Sequence, residues 1–166
     1  EFPSLKAIFR AGIGRENVPE KEAEAKNIVV RYPSKGTSRI IYEETASFTC
    51  GLIFRMLYGN VGTLDSWVKK PRNQFSKKTL LVIGTGNIGN RVAERMKHFL
   101  HVTTFDIMHN KVSELKQFMQ RADCVTIHIP KSDENISFMD HEKLSWMENN
   151  AILVNTARGA IVDEDA

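Results

Sequence analysis

The sequence predicts an α/β fold built on a doubly wound parallel sheet. From residue 80 onward short apolar runs alternate with helical patterns, and the first run, "LLVIG", passes straight into a glycine-punctuated turn and an apolar-striped helix. Strands joined by helices of this length run parallel, because a parallel connection needs a crossover. At 166 residues, 42% apolar and 26% charged, the chain is ordinary globular material with a formal net charge of +3.

Each element follows from its local pattern. Residues 1 to 34 predict a strand ("LKAIFRAG"), a turn, a short helix ("PEKEAEAKN", with Pro19 suited to a first helical turn) and a strand ("IVVRYP"). Two exposed apolar strands and one small helix cannot make a core of their own. Residues 39 to 57 carry Ile40, Ile41, Ala46, Phe48, Ile53, Met56 and Leu57 at roughly helical spacing, which predicts a long helix packed on something large and stopped by Gly59 and Gly62. The alternation then runs strand 80–84, helix 87–99, strand 102–106, helix 111–120, strand 123–128, helix 140–147 and strand 151–155. In helix 87–99, Ile88, Val92, Ala93, Met96 and Phe99 form the stripe expected to face the sheet. The closing "VDEDA" places three carboxylates after a strand and loop, as at a helix start.

Composition excludes several classes of function. The basic run "WVKKPRNQFSKK", residues 67 to 78, has no aromatic platform beside it and predicts a solvated linker, with no nucleic-acid partner. Cys50 and Cys124 fall inside apolar patterns with no C-x-x-C spacing, which predicts reduced core thiols, no metal site and a cytoplasmic location. No apolar run reaches the ~18 residues of a membrane span, so no membrane partner is expected.

The stretch "IGTGNIG" meets the conditions of a dinucleotide turn. A strand precedes Gly84 and a helix follows Gly89. Gly84 would make the tight turn, Gly86 would let a pyrophosphate approach the backbone, and Gly89 would allow close helix-to-strand packing. Free N–H groups near Asn87 and Ile88 would bind phosphate oxygens, helped by the helix dipole. The second strand ends in Asp106, where a carboxylate can accept from both adenine-ribose hydroxyls and repel a 2′-phosphate. The expected cofactor is therefore NAD, although Lys111 is a nearby cation able to accommodate a 2′-phosphate. A Rossmann-type sheet usually has six strands and this chain has four, so it is expected to be truncated, cut at both ends.

Three further stretches, "LKAIFRAGIGRENV", "ADCVTIHIPKSDENISFM" and "MENNAILVNTARGAIVDEDA", give the whole chain a resemblance to the D-isomer-specific 2-hydroxyacid dehydrogenases, which include phosphoglycerate, glyoxylate and D-lactate dehydrogenases. The resemblance implies two α/β domains around a cleft. Residues 1–34 would be a fragment of a flavodoxin-like substrate domain, and residues 35–166 an NAD-binding domain incomplete at its C-terminus. It implies hydride transfer between NAD and a small 2-hydroxy or 2-oxo acid, and a homodimer formed through the NAD-binding domain with the long helix contributing.

Roles follow for the matching positions. Arg158, in "NTARG", matches the catalytic arginine that binds the substrate carboxylate and 2-oxo oxygen. Thr156 and Ala157 would approach the nicotinamide, and Ile129 and Pro130 would line the adenine and ribose region. Gly12, Ile13 and Gly14 match the loop whose N–H groups receive the substrate carboxylate, with Ile13 also near the nicotinamide. Arg10 would contact a further anionic group, a phosphate by resemblance to phosphoglycerate dehydrogenases, or else form a salt bridge. Arg15, Glu16 and Leu100 depart from the family pattern. The family's catalytic glutamate and histidine match nothing here; His128 matches a structural or cofactor-side histidine, and His101, His109 and His141 lie at expected surfaces. The isolated chain is accordingly expected to be inactive. Corepressor relatives share the fold, so an NAD-sensing regulator is the alternative expectation.

Overall fold

A computed structural model describes residues 4–58 and 74–166. Gly59, Gly62 and the 67–73 part of the basic run lie outside the described residues. The chain divides into two compact units, Glu1–Tyr42 and Glu43–Ala166.

In the first unit β1 (Ala7–Phe9) and β2 (Val29–Arg31) pair in parallel and are connected through α1 (Glu20–Ala25). Two acidic side chains, Glu20 and Glu22, lie in the first turn of α1, where the dipole favours them. The helix ends through Asn27, which takes φ 53°, while Ile28 N–H reaches back to the Ala23 carbonyl. Asparagine tolerates that left-handed geometry better than most residues. Ala23 is the one fully buried residue among those described in this unit, and Phe9 is 70% exposed. The expectation that this segment makes no core of its own agrees with that exposure.

The second unit holds a four-stranded parallel sheet of β3 (Thr79–Ile83), β4 (His101–Phe105), β5 (Cys124–Ile127) and β6 (Ile152–Asn155), ordered β4-β3-β5-β6. The connections carry α3 (Gly89–Met96), α4 (Val112–Arg121) and α5 (His141–Leu144). A long helix, α2 (Lys35–Tyr58), precedes them. Alternation along each strand sends side chains to two cores. Leu80, Val82, Cys124 and Val154 meet Ala46 and Ile53 of α2 and Val92 and Met96 of α3. Leu81, Ile83, Val125 and Ile127 meet Leu115 and Met119 of α4, with Met139 and Ile161. Burial on both faces explains why β3 is continuously apolar and not alternating. This is the predicted α/β, Rossmann-type arrangement.

Four expectations need correction. The face of α2 turned inward is Ala46, Thr49, Cys50 and Ile53, while Ile40, Phe48 and Met56 are exposed. Apolar residues are spread around this helix, so spacing identified the helix but not its buried face. Helix α3 ends at Met96, and Phe99 is half-exposed with its ring edge-on to Phe54 at 5.0 Å. Helix α5 is a single turn, started by Asp140, whose Oδ1 accepts the Lys143 N–H at 2.9 Å. The terminal carboxylates form a turn in which Asp163 Oδ1 accepts the Asp165 N–H at 3.2 Å. Among the described residues no helix is long and apolar enough to cross a membrane, and no cluster of three or more His, Cys, Asp or Glu could hold a metal ion.

Candidate functional site

The order β4-β3-β5-β6 reverses direction between β3 and β5, because the connection leaving β3 leads to one edge strand, β4, and that leaving β5 leads to the other, β6. Ligands of open α/β sheets bind at the carboxyl ends of the strands beside such a switch point. The glycine turn stands there, and its three glycines answer different demands. Gly84 takes φ +88°, and a Cβ on it would lie 2.8 Å from the His128 carbonyl oxygen. A Cβ on Gly89 would lie 1.9 Å from the Gly84 carbonyl oxygen. A Cβ on Gly86 would meet nothing within 4 Å. Packing therefore dictates the outer two glycines, and the middle one faces open space. Among the described residues the N–H groups of Gly86, Asn87 and Ile88 donate to no backbone carbonyl, and they sit at the N-terminal end of α3. A surface without Cβ, lined by N–H groups at the positive end of a helix, fits a pyrophosphate.

Asp106 follows β4. Its Oδ2 accepts the Thr85 N–H at 2.8 Å and the Thr85 hydroxyl at 2.9 Å, and its Oδ1 accepts the Met108 N–H at 3.0 Å. The Thr85 N–H, followed by that of Met108, holds the carboxyl below the usual carboxylate range. Three of its roughly four lone-pair positions are thus occupied, leaving about one, on Oδ1, for a ligand donor. Lys111 precedes α4, where its N–H donates to Glu114 Oε2 at 2.7 Å. Thr85 carried no signal in the sequence beyond its place between two glycines.

Beyond the switch point, Ile129 packs against Gly84, and the Pro130 carbonyl accepts from Asn135 Nδ2 at 2.8 Å. His128 directly follows β5, its Nε2 3.0 Å from the Thr126 hydroxyl. Burial pushes its pKa down to about 4, which makes the ring neutral near pH 7 and unsuited to donate a proton. His101, His109 and His141 are exposed. Cys50 and Cys124 are buried thiols, and burial raises Cys124 to about 12.

After β6 the chain turns through Asn155, whose Oδ1 accepts the Ala157 N–H at 3.0 Å and whose Nδ2 donates to the Arg158 carbonyl at 2.8 Å. This side chain shapes the loop that presents Thr156, Ala157 and Arg158. Arg158 is exposed, and its Nη1 donates to the Ala157 carbonyl at 2.8 Å. Asn155 was legible only as a turn-favouring residue after a strand.

In the first unit Arg10 lies over the loop it precedes. Its Nε donates to the Gly14 carbonyl at 3.2 Å, and its guanidinium would be 3.3 Å from a Cβ on Gly12. Among the described residues the N–H groups of Gly12, Ile13 and Gly14 donate to no backbone carbonyl. Arg15 stacks on the Tyr32 ring at 4.4 Å and approaches Glu20 at 3.8 Å.

Comparison with known proteins places these features in a family context. A family model described as "D-isomer specific 2-hydroxyacid dehydrogenase, NAD binding domain" matches residues 59–166. Over 98% of its length the chain is 31% identical to a D-3-phosphoglycerate dehydrogenase of Methanocaldococcus jannaschii, covering 34% of that protein. Over 99% of its length it is 27% identical to a glyoxylate reductase of Korarchaeum cryptofilum, covering 54% of it. The chain thus spans about a third to a half of the curated relatives it matches. Among solved structures, the TT0316 protein of Thermus thermophilus superposes with TM-score 0.81 at 27% identity, over 97% of this chain and 55% of that one. A D-lactate dehydrogenase of Aquifex aeolicus, solved with NAD and lactic acid, gives 0.77 at 25% identity, over 98% and 53%.

Proposed function

Because the chain belongs to the D-isomer-specific 2-hydroxyacid dehydrogenase family, we propose that it forms the NAD-binding part, with a piece of the substrate domain, of an enzyme that interconverts a D-2-hydroxy acid and its 2-oxo acid. The observation that carries this reading is Gly86, the one glycine of the turn that packing does not require, facing open space above the N–H groups that begin α3. A turn serving only to join strand and helix needs Gly84 and Gly89 and gains nothing from a third.

In this reading the N–H groups of Gly86, Asn87 and Ile88 hold the pyrophosphate, and Gly84 and Gly89 keep that surface in place. Asp106 accepts one adenine-ribose hydroxyl on Oδ1 and, being ionised, repels a 2′-phosphate. Ile129 and Pro130 flank the adenine and ribose, and Thr156 and Ala157 flank the nicotinamide. NAD, when bound, supplies the hydride-accepting or hydride-donating carbon. Arg158 orients the substrate carboxylate with its planar fork and stabilises charge on the 2-oxo oxygen. His128 is too firmly neutral to supply the proton. On the first unit, the Gly12–Gly14 loop is an anion receptor stiffened by Arg10. Phosphoglycerate is one substrate the family resemblance offers. The exposed Phe48 and Met56 of α2 support a homodimer through this helix, which sedimentation of F48E against the wild type would check.

The test is NADH oxidation by the full-length protein with glyoxylate, pyruvate, hydroxypyruvate and 3-phosphohydroxypyruvate. Turnover of at least one acid, lowered about 10²-fold or more by R158Q, is the expected result. NADH binding without turnover of any of them would contradict the dehydrogenase reading and favour a sensor.

A further inference from the structure

The hydroxyls of Thr49 and Thr156 are 2.8 Å apart although 107 positions separate them in sequence. Thr49, on α2, is fully buried, and its Oγ1 also lies 2.8 Å from the Thr45 carbonyl oxygen one helical turn earlier. A hydroxyl carries one proton, and a carbonyl oxygen can only accept. The Thr49 proton therefore goes to Thr45, and the bond between the two threonines must be donated by Thr156. With its proton committed, Thr156 keeps only lone pairs to offer outward. It is partly exposed, at the carboxyl end of β6, the end of the sheet on which Gly84 and Asp106 also lie. Asp106 and Thr156 directly follow the two edge strands β4 and β6, three strand spacings apart, about 14 Å at ~4.8 Å per spacing. An extended dinucleotide with its adenine ribose at Asp106 and its pyrophosphate at Gly86 would direct its other base toward Thr156.

We propose that Thr49 is a positioning residue that makes Thr156 an obligate hydrogen-bond acceptor, and that this acceptor selects the N–H of the nicotinamide carboxamide. The inference rests on the reading of Thr156 as a nicotinamide-side residue and specifies its chemistry. A base carrying a carbonyl without N–H finds no donor in Thr156. Removing the Thr49 hydroxyl releases the Thr156 proton, so that Thr156 can then donate as well as accept and loses its preference.

The experiment titrates the chain with NADH and with its reduced 3-acetylpyridine analogue, which replaces the carboxamide by an acetyl group, and takes the ratio of the two dissociation constants. The wild type is expected to favour NADH about fivefold or more, the equivalent of one ordinary hydrogen bond. T49V should bring the ratio toward one, and T49S, which restores the hydroxyl, should keep it. General loosening of the fold weakens both ligands together and leaves the ratio unchanged, so the ratio separates positioning from mere structure. T156V, which leaves Thr49 bonded to Thr45, should also bring the ratio toward one and serves if T49V folds poorly. An unchanged ratio in T49V and T156V overturns the proposal while the NAD-site reading stands. A folded wild-type chain that binds neither dinucleotide overturns both.

Discussion

A methyl group added at Gly89 would sit 1.9 Å from the Gly84 carbonyl oxygen, whereas one added at Gly86 would meet only open space. The two substitutions should therefore part company. G89A is expected to cost on the order of 3 kcal/mol of stability, since helix and strand must separate to admit the methyl. G86A should unfold within a few degrees of the wild type yet bind NADH at least tenfold more weakly, a contrast that thermal melts and fluorescence titration would measure together. His128 provides a second residue-scale test. Its pKa falls from 6.5 in the unfolded chain to about 4 in the folded one. Below pH 6.5 the unfolded state takes up a proton that the folded state refuses, so stability present above 6.5 is lost as pH falls toward 4. The loss reaches up to about 3 kcal/mol. Urea melts between pH 7 and 4.5 should show this decline, and H128Q should flatten it. Asp106, whose depressed carboxyl range lies lower still, contributes only at more acid pH.

Helix α2 shows what a sequence pattern can and cannot specify. Its existence was legible from apolar residues at helical spacing, and the structure extends it from Lys35 to Tyr58. Its buried face was not, because Phe48 and Met56 are as apolar as Ile53 and only the sheet beneath decides which side is covered. Ile53 is fully buried against β3 and α3 residues, so I53A should cost about 2–5 kcal/mol in a chemical-denaturation curve. The strands were legible for a firmer reason. A run such as "TLLVI", buried on both faces, has few alternatives to a central parallel strand. The ends of α3 and α5 were not, since they depend on local bonds such as that from the Lys143 N–H to Asp140. In the site, the glycines and Asp106 announced themselves by spacing. Thr49, Thr85 and Asn155 did not, because each acts through a pair of hydrogen bonds to partners chosen by the fold, and single polar residues leave no periodic trace.

The Glu43–Ala166 unit brings to one end of its sheet the glycine turn, an ionised aspartate after the neighbouring strand and an arginine loop after the far strand. Across the sheet from β4 through β3 to β6 they come as aspartate, glycine turn and arginine loop, the order that adenine ribose, pyrophosphate and nicotinamide require in the proposed reading. The Glu1–Tyr42 unit, with almost nothing buried among its described residues, carries the Gly12–Gly14 loop by itself. In the proposed reading Gly84–Gly89 and Asp106 form a working site for NAD. A paired titration of the chain with NADH and NADPH, followed by nicotinamide fluorescence, decides whether they do. Saturable binding that favours NADH at least tenfold is the predicted result. Equal or stronger binding of NADPH would contradict the role of the Asp106 charge and point to Lys111, and no binding by a chain shown to be folded would reduce "IGTGNIG" to a turn.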